Sequence, residues 1–278
     1  MRSRHTFRPS ISLALLLHCA LAGAVYGADK LAATVLVKDT LAAPRQEAAI
    51  EAKLFTKGLF RDSPLGGEPV DLVLNGATAA TGMTGGDGRA VLSLVPPTGR
   101  IVPVQVRVGN SPRVSAAEGQ ANLVVWERRT PVLVVEFSSL VEESAALQQE
   151  MKPMPDAADE LAKLSQFYYG IMYVVPVSAG ADGFAAGTEA RQWLSRHKFP
   201  VGLVLTLPTS EEALGAKIDE LHQAGWKAIK TGIGRSKAFA ETFLRRRLDA
   251  VLVGEPSTGE APRKAKVAKD WKEVRKKL

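Results

Sequence analysis

From residue 129 onward the sequence alternates two hydrophobic periods, and that alternation constrains the fold more than any other feature. Apolar, β-branched runs at 132–137, 171–177, 202–205, 228–231 and 250–253 predict strands. Between them, apolar residues at helical spacing predict helices over about 156–168, 184–197, 211–223 and 236–246. Asp156 stands where an N-cap belongs, with Glu160 in the opening turn. Strand–helix–strand units with short connections specify a parallel sheet covered on both faces, because parallel neighbours can be joined only by a crossover. Such a sheet takes its ligands beyond the carboxyl ends of its strands.

Residues 31–127 follow a different grammar. Short alternating or β-branched runs recur at 33–37, 49–55, 70–74, 90–94, 102–108 and 122–126 with turn signals between them and no helical period, which predicts a β-sandwich. Thr84, Gly85, Gly86, Asp87 and Gly88 mark a hairpin, since glycine and aspartate tolerate the positive φ of tight turns. Asp87 reads as a turn residue rather than a calcium ligand. The stretch EPVDLVLNGATAATGMTGGDGRAVLSLVPPTG resembles the bacterial immunoglobulin-like modules of many exported proteins, which implies spacing or binding and no chemistry.

The first 27 residues have the grammar of a secretory signal: basic Arg2, Arg4 and Arg8, an apolar run over 11–22, and small residues at Val25 and Gly27. The expected mature chain starts near Ala28 and is exported, most plainly to a periplasm. Cys19 is the only cysteine and leaves with that segment, so neither a disulfide nor a cysteine metal site is expected. The net charge of +7 is uneven: the tail from Arg263 to Leu278 sets eight basic residues against Asp270 and Glu273, leaving the folded body near neutral. Nucleic-acid binding is therefore not expected. In that tail, expected as a basic helix over 256–278, Val267, Trp271, Val274 and Leu278 fall at helical spacing. Such a stripe either docks on the domain or meets an anionic membrane surface or acidic partner.

The candidate chemistry begins at TPVLVVEFSSLVEE, residues 130–143, where a strand ends in a carboxylate and breaks into small polar residues. With three further motifs in order, residues 130–255 resemble the haloacid dehalogenase (HAD) phosphatase superfamily, and most its lipin-like phosphatidate phosphatase branch. The resemblance implies a nucleophilic aspartate, a second aspartate as general acid, and a threonine in an Asp-x-Asp-x-Thr motif, where this chain has Glu136, Ser138 and Leu140. Lengthening a nucleophile by one methylene moves it by about 1.5 Å, enough to cost roughly a hundredfold. Serine, moreover, cannot replace a carboxylic acid near neutral pH.

The family's hydroxyl position matches Ser178, with Gly180 where the branch often has arginine, and its lysine position matches Lys217. Its magnesium motif, of the form Gly-Asn-Arg-x-x-Asp, reads Gly234, Arg235, Ser236 and then Phe239 in place of the acid. Magnesium needs carboxylate oxygens, and Arg235 and Lys237 would repel it. Glu136 and Glu255, both at predicted strand ends, are the remaining metal candidates. The same loop offers the amides of Gly232, Gly234 and Ser236 before a helix, an arrangement suited to an anion. A dinucleotide loop is not expected, because Lys237 stands where its third glycine belongs. His197 and His222 lack ligand spacing and are expected on the surface, no Gly-x-Ser-x-Gly elbow surrounds Ser138 or Ser139, and Trp193 and Trp226 suit the core.

These observations lead to one expectation: an exported, non-catalytic HAD-like protein that binds or scaffolds without a cofactor. Its partner would be a protein or an anionic or phosphorylated ligand held by Ser178, Lys217, Arg235, Ser236 and Lys237. The alternative is a weak magnesium-dependent phosphatase acting on an exported phosphoester such as phosphatidate.

Overall fold

The computed structural model describes residues 29–96, 101–142, 151–254 and 261–278. The signal-like segment and Glu255 lie outside the described residues.

The first part is a β-sandwich. Its strands are β1 (Thr34–Val37), β2 (Thr40–Ala42), β3 (Ala48–Thr56), β4 (Ser63–Pro64), β5 (Pro69–Leu74), β6 (Ala77–Met83), β7 (Arg89–Leu94), β8 (Ile101–Val108) and β9 (Glu118–Val125). One sheet joins β1, β3, β4 and β7; the other runs β2-β9-β8-β5-β6. Alternate residues of β3, β7 and β8 point inward, and Ile50, Leu72, Leu92, Val106 and Leu123 sit almost wholly buried between the sheets. Period-two patterning therefore sets which face each strand buries.

The hairpin expected at Thr84–Gly88 is instead a passage between sheets, since β6 pairs with β5 and β7 with β3. The true tight hairpin joins β5 to β6 through Asn75 and Gly76, both at positive φ (50° and 82°), as a primed turn requires. Gly88 is needed for closeness, because a Cβ there would lie 2.3 Å from the Leu54 carbonyl oxygen. Asp87 accepts from the Arg89 amide at 3.1 Å, a turn bond.

The second part is the parallel α/β domain. It comprises β10 (Val132–Glu136), α1 (Ala157–Phe167), β11 (Gly170–Val177), α2 (Phe184–Arg196), β12 (Leu203–Pro208), α3 (Glu211–Gln223), β13 (Ile229–Gly234), α4 (Lys237–Arg245), β14 (Asp249–Val253), β15 (Lys266–Ala268) and α5 (Trp271–Lys277). The six strands are all parallel in the order β12-β11-β10-β13-β14-β15. Helices α1, α2 and α5 cover one face, while α3 and α4 cover the other with help from Trp126 and Val124 of the sandwich end. Both faces being covered, Val132 to Val135 read as a continuous buried run.

Three local expectations change. Asp156 holds the N-cap position at φ 62° but makes no capping bond; its carboxylate pairs with Lys272 at 3.3 Å. The tail is not one helix: Val267 lies on β15, whose backbone pairs the otherwise open edge of β14, and the helix starts only at Trp271. Trp271 and Val274 are fully buried, and the Trp271 indole N–H donates to the Ser139 carbonyl at 3.2 Å. His197 and His222 are half-buried rather than on the surface, with His197 against Trp193 and the His222 Nε2 2.8 Å from the Ile229 carbonyl.

A buried ion pair joins the two parts. Asp39 of the sandwich accepts from the amides of Asn122 and Val204 and from Arg191 of α2, at 2.8, 2.9 and 3.1 Å. Arg191 also donates to the carbonyls of Val37 and Gln120, both at 2.9 Å. Burial pushes the Asp39 carboxyl up, and Arg191 with the two amides acts against it. A second bridge, Lys53 to Asp182 at 2.5 Å, spans the same junction.

Candidate functional site

The strand order reverses direction between β10 and β13: the chain steps outward through β11 and β12 on one side, then crosses to β13 and β14 on the other. A crevice at the carboxyl ends of two such strands is where open α/β sheets take ligands. Here that crevice is bridged from within. Glu136, the last residue of β10, turns its carboxylate toward the loop after β13. Its Oε2 accepts from the amides of Arg235 and Ser236 at 2.7 and 2.9 Å. Its Oε1 accepts from the Ser236 hydroxyl at 2.6 Å.

The local sequence explains the approach. Gly234 has no side chain to obstruct it: a Cβ there would sit 2.7 Å from Glu136 Oε2 and 2.4 Å from Phe239 Cδ1. Ser236 is the N-cap of α4, accepting from the Phe239 amide at 3.2 Å while its proton goes to Glu136. A carboxylate at the first turn of a helix meets the positive end of its dipole as well as its free amides. The seat expected for an outside anion is thus filled by the chain's own Glu136.

The other expected positions do not converge on it. Ser138 is exposed on a short 3-10 turn (Phe137–Leu140), whereas Ser139 is buried and donates to the Glu136 carbonyl at 2.7 Å. Leu140 is fully buried in the core. Glu136 lies in register with Val174, so Ser178, four residues further along, is about 13 Å away at the usual strand rise. Ser178 is exposed and its carbonyl closes a turn with Ala181. Lys217 pairs with Glu220 at 2.6 Å and lines a cleft facing the sandwich, not the Glu136 crevice. Lys237 reaches Glu241 at 3.9 Å. Only Arg235 and Ser236 of the five proposed ligand contacts meet at Glu136, and Arg235 does so through its backbone.

Beside this bridge lies a cavity of about 280 Å³. Pro176, Leu207, Leu214 and Phe239 give it an apolar wall, with Glu136 and Thr242 among its polar lining. Phe239 is buried and packs on Phe243 with ring centroids 5.0 Å apart. Where the resemblance implies a magnesium ligand, the structure has an aromatic wall.

A magnesium ion does not fit this donor set. Glu136 already serves three donors, Ser138 and Phe239 supply no carboxylate, and no group of three or more metal-binding side chains occurs among the described residues. The sequence announced the missing acids; it did not announce the partner of Glu136. A signal existed, in that a serine-capped helix after Gly-x-Gly places amides at a strand end, where Glu136 ends another strand.

No family model matches the chain, and no curated protein matches it. Solved structures align with parts of it. A D,D-heptose 1,7-bisphosphate phosphatase from Burkholderia thailandensis matches 52% of this chain and 96% of its own, at 15% identity and TM-score 0.36. A chimeric titin Z1Z2 matches 34% of this chain and 94% of its own, at 18% identity and TM-score 0.23. Fibronectin(III)-like modules of CbhA from Clostridium thermocellum match 34% and 96%, at 8% identity and TM-score 0.22.

Proposed function

We propose that this chain is an exported, non-catalytic HAD-like protein whose α/β domain serves binding or scaffolding, presented on its β-sandwich. One observation carries the reading: the Glu136 carboxylate, at the nucleophile position, is held by two backbone amides and a hydroxyl. A nucleophile must aim an oxygen in line with phosphorus, and three of the carboxylate's lone-pair sites are instead committed to the α4 N-terminus. Ser138 and Phe239 remove the acid and the metal ligand independently. The ion-paired junction of Asp39 with Arg191 favours a fixed arrangement of the two parts, as a scaffold needs. Export rests on the three-part pattern of the first 27 residues.

The test is phosphatase activity of the purified mature chain on an aryl phosphate and on phosphatidate, with magnesium or manganese, beside Glu136→Ala. Wild type and variant are expected at the same background. Turnover that Glu136→Ala abolishes would overturn the proposal.

A further inference from the structure

The cavity beside Glu136 has a chemistry of its own. Its hydroxyls are committed inward: Thr209 donates to the Val177 carbonyl at 3.0 Å, Thr242 to the Ala238 carbonyl at 2.8 Å, and Ser236 to Glu136 at 2.6 Å. Ser210, at the solvent-exposed rim, accepts from the Ala213 amide at 3.1 Å and retains a proton to give. The side chains of the inner wall therefore offer almost no donor to an incoming group.

It does offer an acceptor. A carboxylate has about four lone-pair sites, and the bonds from Arg235, Ser236 and the Ser236 hydroxyl use three of them. One remains on a group that lines the cavity and carries negative charge. An anion meets repulsion from that carboxylate; a group that brings its own protons and positive charge finds a partner. Around that acceptor the surface is apolar, from Pro176 and Leu207 on one side to Leu214 and Phe239 on the other. Size narrows the class further. An apolar cavity of about 150 Å³ takes up benzene, so the 280 Å³ here suits one ring with a short chain.

We propose that this cavity binds a small aryl or alkyl ammonium, its apolar body against Phe239, Leu207 and Leu214 and its protonated amine donating to Glu136. The proposal rests on the reading of Glu136 as a fixed, non-catalytic acceptor. It also replaces the phosphorylated ligand suggested by the motifs with one of opposite charge.

The experiment titrates the mature chain with phenethylammonium, phenethyl alcohol and phenylacetate, following binding by calorimetry and by thermal shift. Phenethylammonium is expected to bind tightest and phenylacetate not at all. Glu136→Gln removes the charge and replaces one carboxylate oxygen with an NH2 group, and should weaken the ammonium by about tenfold or more, a larger loss than for the alcohol. Leu214→Trp fills the cavity from α3 and Ala238→Leu fills it from α4; either, if folded by circular dichroism, should abolish binding of both. Phenylacetate binding as well as the ammonium, undiminished binding in a folded filling variant, or no binding by any probe would each overturn the proposal. Phosphatase turnover in the earlier assay would remove the non-catalytic reading without changing these titrations, so the two failures are distinguishable.

Discussion

Replacing Glu136 with alanine tests the central geometry directly. The substitution removes three hydrogen bonds to an ionised acceptor, two from backbone amides and one from Ser236. Bonds to charged groups contribute about 1.5–3 kcal/mol each, which summed gives an upper bound. Glu136 is half-buried, so water reaches part of the vacated seat, and Ser236 still caps α4 through the Phe239 amide. A loss of about 2–4 kcal/mol is the resulting expectation, of the size of a lost cap plus a favourable helix-terminus charge. For a chain of this size that lowers Tm by roughly 5–15 °C. Urea denaturation and calorimetry measure it. Because the variant leaves an empty anion seat of free amides at a helix N-terminus, acetate or formate should restore part of the loss, by mass action, in the variant and not in wild type. A loss below about 0.5 kcal/mol, with no carboxylate rescue, would refute the claim that Glu136 is bound where the structure places it.

Four further outcomes follow from the same contacts. Gly234→Ala should destabilise by about 1–3 kcal/mol, since its Cβ would lie 2.4 Å from Phe239 Cδ1; equilibrium unfolding reads it. Trp271→Ala should cost about 3–5 kcal/mol because the indole is fully buried; unchanged melting would contradict its docking. Asp39→Ala leaves Arg191 buried without its counter-charge and should cost about 3–5 kcal/mol, with the single calorimetric transition separating toward two as the junction loosens. Glu68 is buried, and the hydrogen bond from Ser111 at 2.6 Å, with Arg113 beside it, holds its carboxyl below the ordinary range despite its burial. Its folded pKa being the lower one, its contribution is complete above the usual carboxylate range and fades as pH falls through the folded value. Glu68→Gln should therefore cost about 1–3 kcal/mol at neutral pH and converge with wild type in acid, as urea denaturation across pH will read.

Much of the fold was legible because it is local. The change of period after residue 129 placed every strand from β10 to β14 and every helix from α1 to α4 within a few residues. The misses have physical reasons. The Asn75-Gly76 turn carries a strong hairpin signal, but the neighbouring glycine-rich turn carries a similar one and connects different sheets. β15 is invisible to periodicity: 266–268 is too short to show a period and is ordered by the open edge of β14. Asp156 has a capping side chain, yet its positive φ and its pairing with Lys272 direct that side chain elsewhere.

At the candidate site the division is sharper. The sequence by itself determined that two positions where the resemblance implies acids carry none, since Ser138 and Phe239 cannot become carboxylates in any fold. It also determined that a helix with free amides follows β13. Only the tertiary structure decided what fills those amides, because Glu136 and its partners are 99 and 100 residues apart and meet through the strand order. The Asp39–Arg191 pair, 152 residues apart, is of the same kind. Period and capping report the conformation of neighbouring residues, whereas a buried carboxylate's partner is chosen by whichever donors packing brings to it. The sequence states which groups must be satisfied; the packed sheet decides by whom.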